Sequence, residues 1–205
     1  MIFDYTVIWD SLPLYFGGVL VTLKLLAIAL FFGLLLAIPL ALMRTSRSPW
    51  VNGPAWLYTY VIRGTPMLVQ LFLVYYGLAQ FEAVRESVLW PYLSNATFCA
   101  CVAFAINTSA YSAEILAGSL KATPHGEIEA AKAMGMSRAK LYRRILLPSA
   151  LRRALPQYSN EVIMMLHTTS LASIVTLIDI TGAARTVSSQ SVSYTHLTLP
   201  TNREV

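Results

Sequence analysis

Charge is what this chain of 205 residues has least of. Asp, Glu, Lys and Arg together make up 12%, against about 25% in a typical soluble domain. So thin a polar coat, on a chain that is 56% hydrophobic, excludes an ordinary water-soluble globule and points to a bilayer. Cysteine is scarce too. Cys99 and Cys101 lie in an apolar stretch, where they read as small buried side chains rather than a disulfide framework or a metal pair. No Gly-x-x-x-x-Gly-Lys-Ser/Thr loop is present, so the chain cannot hold a nucleotide in the P-loop manner. Nor does any metal-ligand cluster, nucleophile–base arrangement or aromatic-interleaved basic surface appear. The expectation is a protein with no catalytic residue, metal or cofactor of its own and no nucleic-acid partner.

Long apolar runs are what the chain does have. A helix needs about 20 residues to cross roughly 30 Å of hydrocarbon, and four segments qualify: about 17–43, 56–78, 96–118 and 155–177. The run Leu25 to Leu42 is too long for a secretory h-region, and Arg44 and Arg47 follow it as a stop-transfer pattern. The fold class is therefore an all-α integral membrane protein. Polar groups in the second and fourth segments place part of each against protein or water rather than lipid.

Basic residues set the orientation. None precedes the first span, which is flanked by Asp4 and Asp10. The connection 79–95 carries Arg85 against Glu82 and Glu86. The connection 119–154 carries eight of the fifteen Lys and Arg residues, which assigns it to the cytoplasm and the N-terminus to the outside. At that length a structureless loop is excluded. Thr123 is read as an N-cap with Pro124 at the first helical position. Gly135 ends this helix, and a second one capped by Ser137 runs toward Leu147 and stops before Pro148. The predicted unit is a helix–turn–helix facing the cytoplasm.

Within it, Glu129-Ala130-Ala131, three residues on Gly135, and nine further on Ile145-Leu146-Leu147-Pro148 resemble the EAA signature of bacterial ABC importer permeases at every fixed position and both gaps. Arg63-Gly64-Thr65-Pro66, Asn107-Thr108-Ser109-Ala110-Tyr111 and Tyr158-Ser159-Asn160-Glu161 are similar to the polar amino acid group of that family. Within the group the likeness is greatest to M-type permeases of histidine/lysine/arginine/ornithine importers, and it covers about residues 10–189. The resemblance implies a type I permease fold with five spans, of which four are present here. It implies that 119–154 is the loop that couples to a cytoplasmic ATPase through Glu129, Ala130, Ala131, Gly135, Ile145, Leu147 and Pro148. ATP and magnesium would then bind to that ATPase, with an external solute-binding protein and a second permease, more readily a different chain than a copy, completing an inner-membrane complex. A basic amphipathic helix lying on lipid headgroups would explain the charge of the loop but not its spacing.

Small residues at 130 and 131 would let a partner approach the helix closely, and Gly135 permits a sharp reversal. In the spans, each ionisable group needs a reason, because it costs at least about 2.5–3.5 kcal/mol at bilayer depth. Glu161 either receives the cationic end of a basic amino acid or pairs across helices, for instance with Arg63 or with a polar group on a second permease. Asn160, Asn107, Tyr111, Gln70 and Thr65 are further candidates for the substrate path. Residues 107, 111 and 114 share a helical face, and Glu114 is read as structurally paired. Lys24 snorkels. Hydroxyls at 168–170 are read as helix–helix hydrogen bonds. Pro66 predicts a kink, which either exposes backbone to solute or serves packing.

From about residue 190 the resemblance ends. Ser191 to Val205 has no sustained apolar run and reads as a foreign tail on a truncated chain, with a true four-span variant as the alternative. Two other classes remain open: an ion-coupled secondary transporter, which would normally show an inverted repeat, and a non-transporting scaffold. A requirement for a partner that hydrolyses ATP separates both from an importer.

Overall fold

The computed structural model describes residues 5–197, whose regular elements are all helices, with no strand among them. Helix α1 (Tyr5–Arg44) and helix α6 (Ala96–Lys121) form the central pair, each long and apolar enough to cross a membrane. Of their most apolar windows, 67% of α6 is buried against only 28% of α1, so α6 is the axis of the bundle and α1 its more exposed wall. Leu25, Ala29, Ala37 and Ala41 recur on one face of α1, and all are buried. Gly33 completes that stripe. A Cβ there would lie 2.7 Å from Thr108 Cγ2, so the bare backbone at Gly33 makes the room that the Thr108 side chain fills. Small residues of this kind are how helices associate closely where no hydrophobic gradient drives them together. Asn95 starts α6 by accepting hydrogen bonds from Thr97 N (2.9 Å) and Phe98 N (3.3 Å) on its side-chain oxygen.

The predicted second span is not one helix. Helix α2 (Pro49–Gly64) and helix α3 (Met67–Phe72) meet at a 103° bend. Thr65 and Pro66 between them are extended, with ψ near 138° and 137°, as steric conflict with the proline ring demands of the residue before it. Helix α3 then widens into a π-turn at Leu73–Gly77 and tightens into a 3-10 turn at Leu78–Gln80. Two short helices follow, α4 (Glu82–Arg85) and α5 (Trp90–Leu93), where the sequence suggested only a loop.

The 119–154 connection contains α7 (His125–Ala133) and α8 (Arg138–Leu141). The second of these does not stop before Pro148. It opens into a π-turn at Tyr142–Leu146 and continues as α9 (Leu147–Thr168). The Leu147 N–H reaches back to Tyr142 O, and the π-turn accommodates the donor that Pro148 lacks.

The fourth span also ends differently. After Thr168 the chain tightens into a 3-10 helix (Thr169–Val175), and Thr176 takes a left-handed φ of 67°. The hydroxyls of Thr168, Thr169 and Ser170 donate to Met164 O, Leu166 O and His167 O. They bond within their own helix instead of between helices. Helix α10 (Ile180–Leu197) follows, capped by buried Asp179, whose Oδ1 accepts the Gly182 N–H at 2.8 Å. Of the expected foreign tail, residues 191–197 continue α10, and the residues from 198 onward lie outside the described part.

Candidate functional site

A cavity of about 1100 Å³ opens between the α2–α3 bend, α6 and α9. Its polar wall includes Thr65, Asn107, Tyr111, Asn160 and Glu161, five of the six residues singled out for the substrate path. The sixth, Gln70, is buried behind the wall. Pro66 has no N–H to offer Ile62 O, and Gln70 Nε2 donates to that carbonyl instead, at 2.6 Å. The same amide nitrogen lies 3.0 Å from Thr65 O and 2.8 Å from Thr65 Oγ1. Gln70 Oε1 in turn accepts from Asn107 Nδ2 at 3.2 Å. Gln70 is therefore the staple that lets a span break in the membrane interior without orphaned backbone groups, and it holds the Asn107 amide at the cavity edge.

Glu161 is half-buried and has no hydrogen-bond or ion-pair partner among the described residues. Arg63, across the same cavity, instead lies over the Tyr111 ring, 5.3 Å from its centroid. The Tyr111 hydroxyl is 3.5 Å from Arg63 O. Glu114 is paired, as its sequence position suggested. Its Oε1 accepts from Arg44 Nε (2.6 Å) and Thr59 Oγ1 (2.7 Å), its Oε2 from Arg44 Nη2 (3.3 Å), and Arg44 Nη1 reaches Asn52 Oδ1 at 2.5 Å. This clasp joins the ends of α1, α2 and α6 beside the cavity. Arg44 was legible only as a topology signal. Its partner is 70 residues away.

In the 119–154 loop the structure redistributes the expected roles. Thr123 does not cap α7. The helix starts one residue later with Pro124 at the cap position, and the Thr123 hydroxyl instead accepts from Arg153 Nη2 at 2.6 Å. Gly135 takes φ +70° and closes a Schellman motif, with Gly135 N donating to Lys132 O at 2.9 Å and Met136 N to Ala131 O at 3.1 Å. Ala131 does not face outward as expected. It is buried with Leu141 and Leu146, and Ile128, Met136 and Ile145 pack around them. Close approach from outside is thus open at exposed Glu129 and Ala130, while Ala131 lets the loop close on itself. Pro148 is exposed and Leu147 partly so. Leu146, the one residue of Ile145–Pro148 not assigned a role, is the one buried.

A helical bundle with a broken span, a polar cavity of about 1100 Å³ and a compact basic loop has the form of a membrane permease. The chain belongs to the family of binding-protein-dependent transport system inner membrane components, whose pattern matches residues 29–198. It is 49% identical over 191 residues to the octopine transport system permease protein OccM of Rhizobium radiobacter, covering 93% of this chain and 78% of that one. It is 47% identical over 175 residues to the histidine/lysine/arginine/ornithine transport system permease protein HisM of Salmonella typhimurium, covering 85% and 74%. The fold superposes on the crystal structure of an amino acid ABC transporter with a TM-score of 0.80 at 36% identity, covering 95% of this chain and 86% of that one. The all-α expectation of a type I importer permease holds.

Proposed function

We propose that this chain is the membrane-spanning subunit through which an ATP-driven importer moves polar, chiefly basic, amino acids inward. The observation that supports this most is the half-buried Glu161 carboxylate on the cavity wall, without a partner among the described residues. An unpaired carboxylate in low dielectric is costly and binds an arriving cation strongly. The relatives named for histidine, lysine, arginine and ornithine transport support the same solute class. Asn160, Asn107, Tyr111 and Thr65 line the path, and Gln70 acts by holding the break open.

The basic loop docks a cytoplasmic ATPase through the exposed face around Glu129 and Ala130. Gly135, Ala131, Ile145, Leu147 and Pro148 shape that surface. ATP and magnesium belong to the ATPase, and this chain holds no cofactor. The N-terminus faces outward, toward a solute-binding protein, and a second, different permease completes the pair. An ion-coupled carrier or an inert scaffold leaves the spacing of the loop unexplained.

Two measurements on the co-expressed complex test the proposal. The ATPase is expected to co-purify with the wild-type chain and to be lost from a Glu129→Lys/Gly135→Pro variant that still inserts into the membrane. Proteoliposomes with internal ATP are expected to accumulate radiolabelled L-arginine, and to stop when the ATPase is inactivated. Equal recovery of the ATPase by both chains, or uptake that follows an ion gradient without ATP, overturns it.

A further inference from the structure

The guanidinium of Arg153 joins three segments that the sequence separates. It lies on α9, one turn beyond Ser149, and Nη1 donates to Ser149 Oγ at 2.7 Å. Nη2 donates to Thr123 Oγ1, in the turn that enters α7, at 2.6 Å. Nε donates to Ser119 O, in the last turn of α6, at 3.3 Å. That carbonyl is among those a helix end leaves without an intrahelical donor, and a cation there also suits the negative end of the helix dipole. The Ser149 hydroxyl passes the contact on, donating to Glu127 Oε2 in the first turn of α7 at 3.3 Å. Thr123 and Ser119 are both buried, so the fork is shielded from the water and salt that weaken surface pairs.

Where the fork lies gives it a mechanical consequence. Residues 153, 157 and 161 are spaced by four and follow one face of α9, and Gln157 and Glu161 line the cavity. Gly118, beside the Ser119 anchor, lines it from α6. Arg153 therefore grips both cavity helices within about a turn of the cavity floor. On its loop side is the π-turn Tyr142–Leu146 and on its cavity side is Pro156. Both are places where a helical hydrogen-bond ladder yields. The segment between them is a short stiff lever, fixed to the docking loop by the Arg153 guanidinium and, next to it, by the Ser149–Glu127 hydrogen bond.

We propose that Arg153 is the positioning residue that makes the loop, the end of α6 and the start of α9 move as one body, so that motion of a docked ATPase reaches the cavity and α9 flexes at Pro156. The proposal rests on the docking role of the loop but on no particular solute, and its test needs none. In the full complex, with Cys99 and Cys101 replaced by Ala, Met164→Cys on the cavity wall reports access through its rate of reaction with a thiol reagent. Trapping the ATPase with ATP and vanadate is expected to change that rate about five-fold or more when Arg153 is present. With Arg153→Ala the change is expected to fall below about two-fold while the ATPase still co-purifies and still traps nucleotide. Arg153→Lys is expected to fall between, and Arg152→Ala on the exposed side to match the parent. A simple loss of stability would lower assembly and trapping together and would leave the ratio in the assembled fraction unchanged.

An Arg153→Ala complex that keeps the parent's full change overturns the proposal, as does an Arg152→Ala complex that loses it equally. If Arg153→Ala does not assemble, Thr123→Val and Ser149→Ala each remove one partner of the guanidinium, and parental values for both overturn it as well. Failure of the parent to bind the ATPase at all would instead defeat the docking role proposed above.

Discussion

Two carboxylates on one cavity wall have opposite circumstances, and that difference predicts opposite outcomes. Glu114 is fully engaged by Arg44 and Thr59, whereas Glu161 has no partner among the described residues. Replacing Glu114 by Ala leaves the Arg44 guanidinium, whose side chain is only 12% exposed, without its counterion. Breaking one half of such a pair costs about 3 kcal/mol or more, so Glu114→Ala is expected to lower the unfolding temperature of the purified complex clearly. Glu161→Gln removes a carboxylate that makes no hydrogen bond or ion pair in the described part, so the same measurement should move far less. Its effect belongs to the solute: losing one charge-assisted contact of roughly 1.5 kcal/mol is expected to raise the KM for L-arginine uptake about ten-fold. If Glu161→Gln destabilises the complex as much as Glu114→Ala does, and uptake is unaffected, Glu161 is a structural group and the solute reading of that residue fails.

At the scale of elements, the breaks in helices are where chemistry substitutes for missing hydrogen bonds. Gln70 answers for the donor that Pro66 lacks, with the shorter of the two side-chain hydrogen bonds that Ile62 O accepts, the other coming from the Thr65 hydroxyl at 3.3 Å. Gln70→Glu keeps the shape but turns the donor into an acceptor facing Ile62 O at 2.6 Å. It is expected to cost about 2–3 kcal/mol and to loosen the α2–α3 bend, read as faster hydrogen exchange at residues 61–70. Exchange at the wild-type rate would show that the carbonyl finds its donor elsewhere. Close helix contact is the second device. Gly33→Ala puts a Cβ at 2.7 Å from Thr108 Cγ2 and 2.8 Å from Thr108 Cβ, an overpacking of about 1–3 kcal/mol. Thr108→Ser removes the first clash but not the second, so a double variant is expected to recover only part of the loss in thermal stability. Full recovery would mean that the backbones separate freely at this crossing.

For the molecule as a whole, what the sequence made legible was whatever is encoded locally or by a period. Apolar length marked α1 and α6, Lys and Arg counts marked the basic loop, and the Glu129–Pro148 spacing marked its family. Hidden were the contacts made across long stretches of chain: Arg44 to Glu114, Gln70 to Asn107, Arg153 to Ser119. A proline in an apolar run signals a bend but not which distant amide will satisfy it, and an arginine in a basic loop looks the same whether it faces water or anchors two helices. The proposed orientation rests on those charge counts, and exposure supplies a direct check. Val88 is 91% exposed and Met134 is 78% exposed, on connections that the charge rule assigns to opposite sides of the membrane. In a background with Cys99 and Cys101 replaced by Ala, Val88→Cys is expected to react with an impermeant thiol reagent added outside intact cells lacking an outer-membrane barrier. Met134→Cys is expected to react only after the membrane is opened, and more slowly once the ATPase is bound, because it ends the helix proposed to dock it. Labelling of both from outside would break the alternation of spans, and labelling of Met134→Cys alone from outside would invert the molecule and place its basic loop where no ATPase could reach.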